Sequence, residues 1–348
     1  MTIRPHKSTH DRIGDLPLVT ESARVTDVTT MDRDRRAEVR EAVARWLDDA
    51  GLADEYAIGT SVSDWRRLHE RLAGDGHAEL ARRVGTLSER AARPKPMLVR
   101  TEFETEREFD FLAGQYVGVR YEDAARAYSI ASPPTSDRVE ICVRRVPDGK
   151  LSPRICGDLE VGDRVTLRGP HGDLVLDESS SRDLVFLATG TGVAPFKSMI
   201  DYVFEEGLDT VGGEQRDVWL FLGAAWADDL PYGDEFRERA ARHDNFHFVP
   251  CLSRESILTD WQGETDYVQH ALLKHVDPST VTTAVDERVE SLLTRSPVAA
   301  DGESSRARID PSEVDVYACG INAMVYGLVA AVRSVGVPET RIESEGFG

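Results

Sequence analysis

Lysine is nearly absent from this 348-residue chain: only Lys7, Lys95, Lys150, Lys197 and Lys274 occur among its 42 basic residues, and the rest are arginine. Against them stand 62 acidic residues, for a formal net charge of −20. That balance argues against nucleic acid as a partner, because counterion release needs clustered Lys and Arg. An acidic, lysine-poor, arginine-using surface is the composition of a protein adapted to high salt, where dense carboxylates hold water and salt screens their repulsion. Cysteine is also scarce. Cys142, Cys156, Cys251 and Cys319 are the four, and none lies within four residues of another. This spacing excludes a local iron–sulfur or zinc motif and suggests no metal. It leaves free thiols in a reducing cytoplasm as the simple reading. No apolar run approaches the length of a membrane span, and the opening "MTIRPHKSTH" has no signal-like apolar core.

What is present is a globular composition, 41% hydrophobic, long enough for two or three domains. Residues 1–30 are polar and are expected to be loose. From Arg33 to Ala50, Val39, Val43, Trp46 and Leu47 recur at helical spacing, and Gly51 is a natural stop. A second helix follows Ser63, with Trp65, Leu68 and Leu72 on one face. A third carries Leu80, Val84 and Leu87. Residues 31–94 thus form a helical extension that ends at the linker-like "AARPKP".

After Met97 the pattern becomes short β runs: "MLVRTEF", "GQYVGVRY", "ARAYSIAS", "RVEICVRRV", "DRVTLRG" and "DLVL". Six such runs predict an antiparallel barrel over 95–180. From Asp183 strands and helices alternate, which predicts a parallel sheet covered on both faces over 181–348. Residues 277–312 break that rhythm and are expected to be a mobile insertion, most of all in the polar "SPVAADGESSRARID".

Several short stretches carry possible chemistry. In "LVFLATGTGVAPF" an apolar strand runs into Gly190, Thr191 and Gly192, and a helix opens near Pro195. Such a turn lets a phosphate approach the backbone at a helix N-terminus, although it also serves as a plain strand–helix turn. It lacks the Gly-Lys-Ser/Thr ending of a Walker loop. Ser253 and Arg254 in "CLSRES" follow the third sheet strand and could fork onto a further phosphate, or act only as a helix cap and a solvated arginine. Tyr267 and Gln269 in "TDYVQ" read as helix surface. In "PDGKLSPRI", Gly149 and Ser152 could cradle a second phosphate or simply form a hairpin turn. Cys319 ends a strand facing the same crevice, where a lone buried cysteine is usually packing.

Together and in this order, these stretches resemble the ferredoxin–NADP(+) reductase family, most of all its plant-type members, over roughly Met97 to Gly348. The resemblance implies an FAD-binding antiparallel barrel followed by a doubly wound NADP-binding domain. It places Arg126, Tyr128 and Ser129 of "ARAYSIASPP" at the flavin. It adds Val143 of "CVRRV" and the pyrophosphate turn Gly149, Leu151 and Ser152. The NADP pyrophosphate turn is matched by Gly190, Thr191, Gly192, Ala194 and Pro195. The 2′-phosphate motif is matched by Ser253, Arg254 and Glu255, with Tyr267 and Gln269 after it. Cys319, Gly320 and Met324 would lie beside the nicotinamide. The family's terminal Glu-x-aromatic reads Glu345, Gly346, Phe347, with Phe in place of the plant-type Tyr and Gly348 after it.

The implied activity is that of an FAD-dependent NADPH oxidoreductase. A hydride would move between nicotinamide and flavin N5, with Ser129, Cys319 and Glu345 lining that step. Single electrons would pass to a separate carrier, such as a ferredoxin or flavodoxin-like protein. A cytoplasmic monomer is expected. The alternatives within the superfamily are a free flavin reductase and the reductase component of an oxygenase or nitrate-reducing system. A redox-sensing scaffold is a more distant reading.

Overall fold

The computed structural model describes residues 16–298 and 308–347. The chain opens with strand β1 (Val19–Thr30), then forms three helices, α1 (Arg36–Asp49), α2 (Val62–Gly74) and α3 (Ala78–Ala91). Strands β2 (Leu98–Thr105), β3 (Tyr116–Tyr121), β4 (Ala124–Ser129) and β5 (Val139–Arg144) follow. Then come the short helix α4 (Ser152–Gly157) and β6 (Arg164–His171). These strands make one six-stranded antiparallel sheet in the order β4-β3-β6-β1-β2-β5. It is nearly closed: where β4 ends, Ile130 bridges to Ile141 of β5.

Residues 1–30 were expected to be loose, yet Val19–Thr30 lies between β2 and β6 as a full barrel strand. The reason is visible in its burial. Glu21, Ala23 and Val25 alternate inward, but a glutamate and an alanine at two of those three positions do not read as apolar alternation. Residues 1–15 lie outside the described residues. The three helices consequently sit between the barrel's first and second strands, not ahead of the barrel. "DLVL" is the other difference. It is a buried connecting segment, held by a long hydrogen bond from Leu176 N–H to the Ala113 carbonyl (3.4 Å), and β1 supplies the sixth strand.

The second half begins with β7 (Asp183–Thr189) and α5 (Ala194–Glu205). A small hairpin of β8 (Thr210–Val211) and β9 (Glu214–Gln215) follows. Next come β10 (Val218–Ala224), α6 (Gly233–Arg242), β11 (Phe246–Leu252), α7 (Val268–His275), α8 (Glu287–Leu293), β12 (Val314–Ile321), α9 (Asn322–Ser334) and β13 (Ile342–Phe347). The five long strands form a parallel sheet in the order β11-β10-β7-β12-β13. β7, β10, β11 and β12 each divide their side chains between two cores, as period-2 geometry requires. Leu184, Phe186 and Ala188 of β7 face α5, α6 and barrel residues such as Leu98 and Cys142. Val185 and Leu187 face α7, α8 and α9. The first of these cores therefore runs on from the sheet into the barrel.

The stretch expected to be a mobile insertion contains α8, whose Val289, Leu292 and Leu293 are buried against the second core. Its polar neighbours hid an apolar i, i+3, i+4 face. Val276 and Ile309 then bridge across the base of the segment. Residues 299–307 lie outside the described residues. Among the described residues no helix is long and apolar enough to cross a membrane.

Candidate functional site

The carboxyl ends of β7, β10, β11 and β12 open into a crevice of about 310 Å³. This is where open parallel sheets bind ligands. Its inner end is set by close backbone packing. Gly190 has φ +51, and a Cβ there would meet nothing within 4 Å, so the turn faces open space. Gly192 is the opposite case: a Cβ would come within 2.6 Å of the Cys319 carbonyl oxygen. A Cβ on Gly320 would come within 2.5 Å of Thr189 Oγ1. Only glycines let the β7 turn and the end of β12 approach this closely. Pro195 sits in the first turn of α5, where its missing N–H costs nothing. It is buried, behind the turn.

The outer end lies across the crevice mouth. Ser253 and Arg254 are exposed, with their backbone N–H groups donating to the Ala224 (3.1 Å) and Ala225 (2.9 Å) carbonyls. Tyr267 is 60% exposed and, like Ser253, lines the crevice. Gln269 does not line it. Its amide lies toward Gly327 of α9.

β13 completes the site. It pairs with β12 in a register that sets Cys319 beside Glu345, Gly320 beside Gly346 and Ile321 beside Phe347. Phe347, 40% exposed, and Met324 both line the crevice. The Cys319 thiol is fully buried, and that burial, with Glu345 next to it, pushes it well above its usual range. It is a neutral packing group at ordinary pH. Burial, reinforced by Asp173, also raises the Glu345 carboxyl. Burial with Asp173 and Asp177 pushes Glu343 up to about 7.

On the barrel, β4 carries Arg126, Tyr128 and Ser129. Tyr128 and Ser129 pair with Val117 and Tyr116 of β3. The strand leaves that partner after Ser129, and Ile130 N–H donates to the Gln115 carbonyl (2.9 Å). Strict alternation ends there, so Tyr128 and Ser129 can both be half-buried. Among the described residues neither hydroxyl has a hydrogen-bond partner. Among the described residues the exposed Arg126 guanidinium donates only to the Ala125 carbonyl (2.8 Å) and pairs with no carboxylate. In the Gly149–Ser152 turn, Gly149 N–H donates to the Val146 carbonyl (2.9 Å), and Ser152 Oγ accepts from Val146 N–H (3.0 Å). Val143 and Leu151 point into the barrel core and leave only their backbones available. An unpaired guanidinium, two free hydroxyls and a half-buried ring on one short strand are the groups a dinucleotide's phosphate and ring need. The residues present therefore fit FAD here, and the open Gly190 turn fits a nucleotide phosphate.

Three charged lining residues escaped sequence reasoning. Arg144 of β5 reaches Asp229 across the domain boundary at 3.2 Å, and both line the crevice. Asp266, next to Tyr267, also lines it and pairs with Lys274 at 2.7 Å. Arg144 and Asp229 fall inside the segments "CVRRV" and "LFLGAAWADDLPYGDEF", but nothing local distinguishes them from surface charges.

Comparison with known proteins places this geometry. The model for the oxidoreductase FAD-binding domain matches residues 96–176, and that for the oxidoreductase NAD-binding domain matches residues 186–329. The chain is 34% identical over 282 residues to the phenol 2-monooxygenase reductase component DmpP of Pseudomonas sp., covering 74% of this chain and 73% of that protein. It is 34% identical over 167 residues to protein RfbI of Salmonella typhimurium, covering 48% of each. The chain thus spans about half to three-quarters of the length of these curated relatives. Among solved structures, the Amycolatopsis cytochrome P450 reductase GcoB superposes with a TM-score of 0.61 at 22% identity, over 95% of this chain and 70% of that one. A ferredoxin NADP+ reductase from Neisseria gonorrhoeae, with bound FAD and NADP, superposes with a TM-score of 0.54 at 22% identity, over 72% and 93%. These two show the fold. With the matched domains and the reductase component, the crevice and barrel strand identify the chain as an FAD- and NAD-binding oxidoreductase of the ferredoxin–NADP(+) reductase family.

Proposed function

We propose that this chain is an FAD-dependent NADPH oxidoreductase that exchanges electrons with a separate one-electron carrier protein, such as a ferredoxin or a flavodoxin-like protein. The observation that carries the reading is the convergence of Gly190, Thr191, Ser253, Tyr267, Met324 and Phe347 on one crevice. Bound FAD would supply the exchange between two-electron hydride chemistry and one-electron transfer. The chain's own residues bind and orient. Arg126 balances pyrophosphate charge, and Gly149 and Ser152 shape the turn beside it. Tyr128 and Phe347 offer ring faces for stacking. Ser129 donates a hydrogen bond at the ring edge. Cys319 and Glu345 border the nicotinamide position, and the raised Glu345 carboxyl can hold a proton there. Arg254 with Ser253 selects the 2′-phosphate, so NADPH is preferred over NADH.

A second reading has a specific observation behind it. Several relatives are reductase or electron-transfer components of oxygenases, among them DmpP and the toluate 1,2-dioxygenase electron transfer component of Pseudomonas putida. In that reading the acceptor is an oxygenase or the carrier that serves it. This chain's four cysteines are free and buried, and among the described residues no group of His, Cys, Asp and Glu is placed to hold a metal ion. The test is a steady-state comparison in high salt of a ferredoxin, a flavodoxin, an oxygenase component and free flavin as acceptors. Reduction of a protein carrier with NADPH well above that of free flavin supports the proposal. Turnover with free flavin alone would refute it.

A further inference from the structure

We infer that the three-helix insertion between β1 and β2 is a positioning element for the outer end of the crevice, and that Arg35 is its positioning residue. The inference rests on the reading of Ser253 and Arg254 as the 2′-phosphate contacts. Glu255 directly follows Arg254 and is buried, and both of its carboxylate oxygens are engaged. Arg35 grips them as a fork, Nη1 to Oε2 at 2.9 Å and Nη2 to Oε1 at 2.7 Å. Oε2 also accepts the Ala227 N–H at 2.7 Å, and Oε1 accepts the Thr259 hydroxyl at 2.9 Å. The same guanidinium reaches Asp228 at 3.2 Å, and Arg90 of α3 pairs with that aspartate as well. One arginine thus ties together the loop after β10 and the loop after β11.

The apolar contacts point the same way. Trp226, from the loop after β10, is fully buried in the core of the insertion with Leu258 from the loop after β11. The Arg90 guanidinium lies 4.9 Å over the Trp226 ring. Both loops therefore send a side chain into the insertion, and the Ser253–Arg254 segment lies between those anchors. Its outward side chains are exposed and, among the described residues, receive no hydrogen bond or ion pair of their own. A buried ion pair brings little net stability, because desolvation offsets the attraction. What a planar fork supplies is fixed geometry, and a lysine at this position cannot hold both Glu255 oxygens and Asp228 at once.

The experiment is calorimetric titration of the FAD-loaded full chain with adenosine 2′,5′-bisphosphate and, separately, with ADP. Arg35→Lys is expected to weaken the bisphosphate at least fivefold while ADP changes less than twofold and the flavin absorption spectrum stays as in the parent. Glu255→Gln removes the charge without changing the shape. It should give the same selective loss, and it serves if Arg35→Lys does not fold. Arg254→Ala is the control for the underlying reading and should lose the preference for the bisphosphate. If it does so while both Arg35→Lys and Glu255→Gln keep the parent ratio of affinities, the positioning role is overturned and the 2′-phosphate reading stands. If Arg254→Ala leaves the ratio unchanged, the 2′-phosphate reading falls, and the inference falls with it.

Discussion

The two ends of the crevice are built on opposite principles. At the inner end, Gly192 packs on the Cys319 carbonyl and Gly320 on the Thr189 hydroxyl so closely that a Cβ would not fit at either. The geometry there belongs to adjacent strands and needs nothing from elsewhere. At the outer end, Ser253 and Arg254 stand exposed, and the restraint comes from behind, through a buried carboxylate gripped by an arginine 220 residues away in sequence. The inner end is rigid because of its own sterics. The outer end is only as well placed as its distant support.

If that contrast holds, removing the support should have the largest effect. Arg35→Met leaves the buried Glu255 carboxylate without its ionic partner, while Asp228 keeps Arg90, so a stability loss of about 3–5 kcal/mol is expected, read from chemical denaturation. A loss below about 1 kcal/mol would mean that the outer end is self-supporting after all. At the inner end, Gly192→Ala forces a carbonyl and a Cβ into 2.6 Å contact. About 1–3 kcal/mol of overpacking strain is expected, with slowed flavin reduction by both NADPH and NADH. Arg254→Ala should cost about 1–3 kcal/mol in kcat/KM for NADPH, the scale of a charge-assisted hydrogen bond, and leave NADH almost unchanged. Equal losses with both nucleotides would detach Arg254 from the 2′-phosphate.

The acidic group behind Phe347 predicts a smaller effect with a definite sign. Burial, with Asp173 and Asp177 nearby, raises Glu343 to about 7 from the 4.5 of a free glutamate. Between those two pH values the folded protein holds a proton that the unfolded chain has released. Stability should therefore fall as pH rises through that window and level off above it. Glu343→Gln should flatten this slope in melting curves taken across the range, and a slope of the same steepness in the variant would assign it to other groups. The smallest expected change is at Phe347, which is already partly exposed. Phe347→Ser should raise turnover with NADH a few-fold if the ring covers the nicotinamide position, and unchanged kinetics would show that it does not.

The contrast also explains what could be read in the sequence. The βα alternation, the Gly190–Gly192 turn and the barrel strands were legible because each is a local pattern with a local cause. The helical insertion was legible as three helices through Val39, Trp65 and Leu87 and their periodic neighbours. Its place was not, because β1 hides its inward alternation behind Glu21 and Ala23. Nor did anything near Arg35 announce Glu255, since a long-range ion pair leaves no periodic trace. The site residues divide the same way. Phe347 and Met324 come to the crevice through the register of β13 and the start of α9, whereas Gln269 turns toward α9 and Val143 and Leu151 enter the barrel core. Motif position alone did not reveal which way those side chains face.

The most direct test of the account is an anaerobic titration of the purified flavin-loaded protein with NADPH and with NADH, followed by the flavin's visible absorption. NADPH is expected to bleach the flavin stoichiometrically, with NADH needing a clearly higher concentration. A protein that binds no flavin, or a flavin that neither nucleotide bleaches, would contradict it.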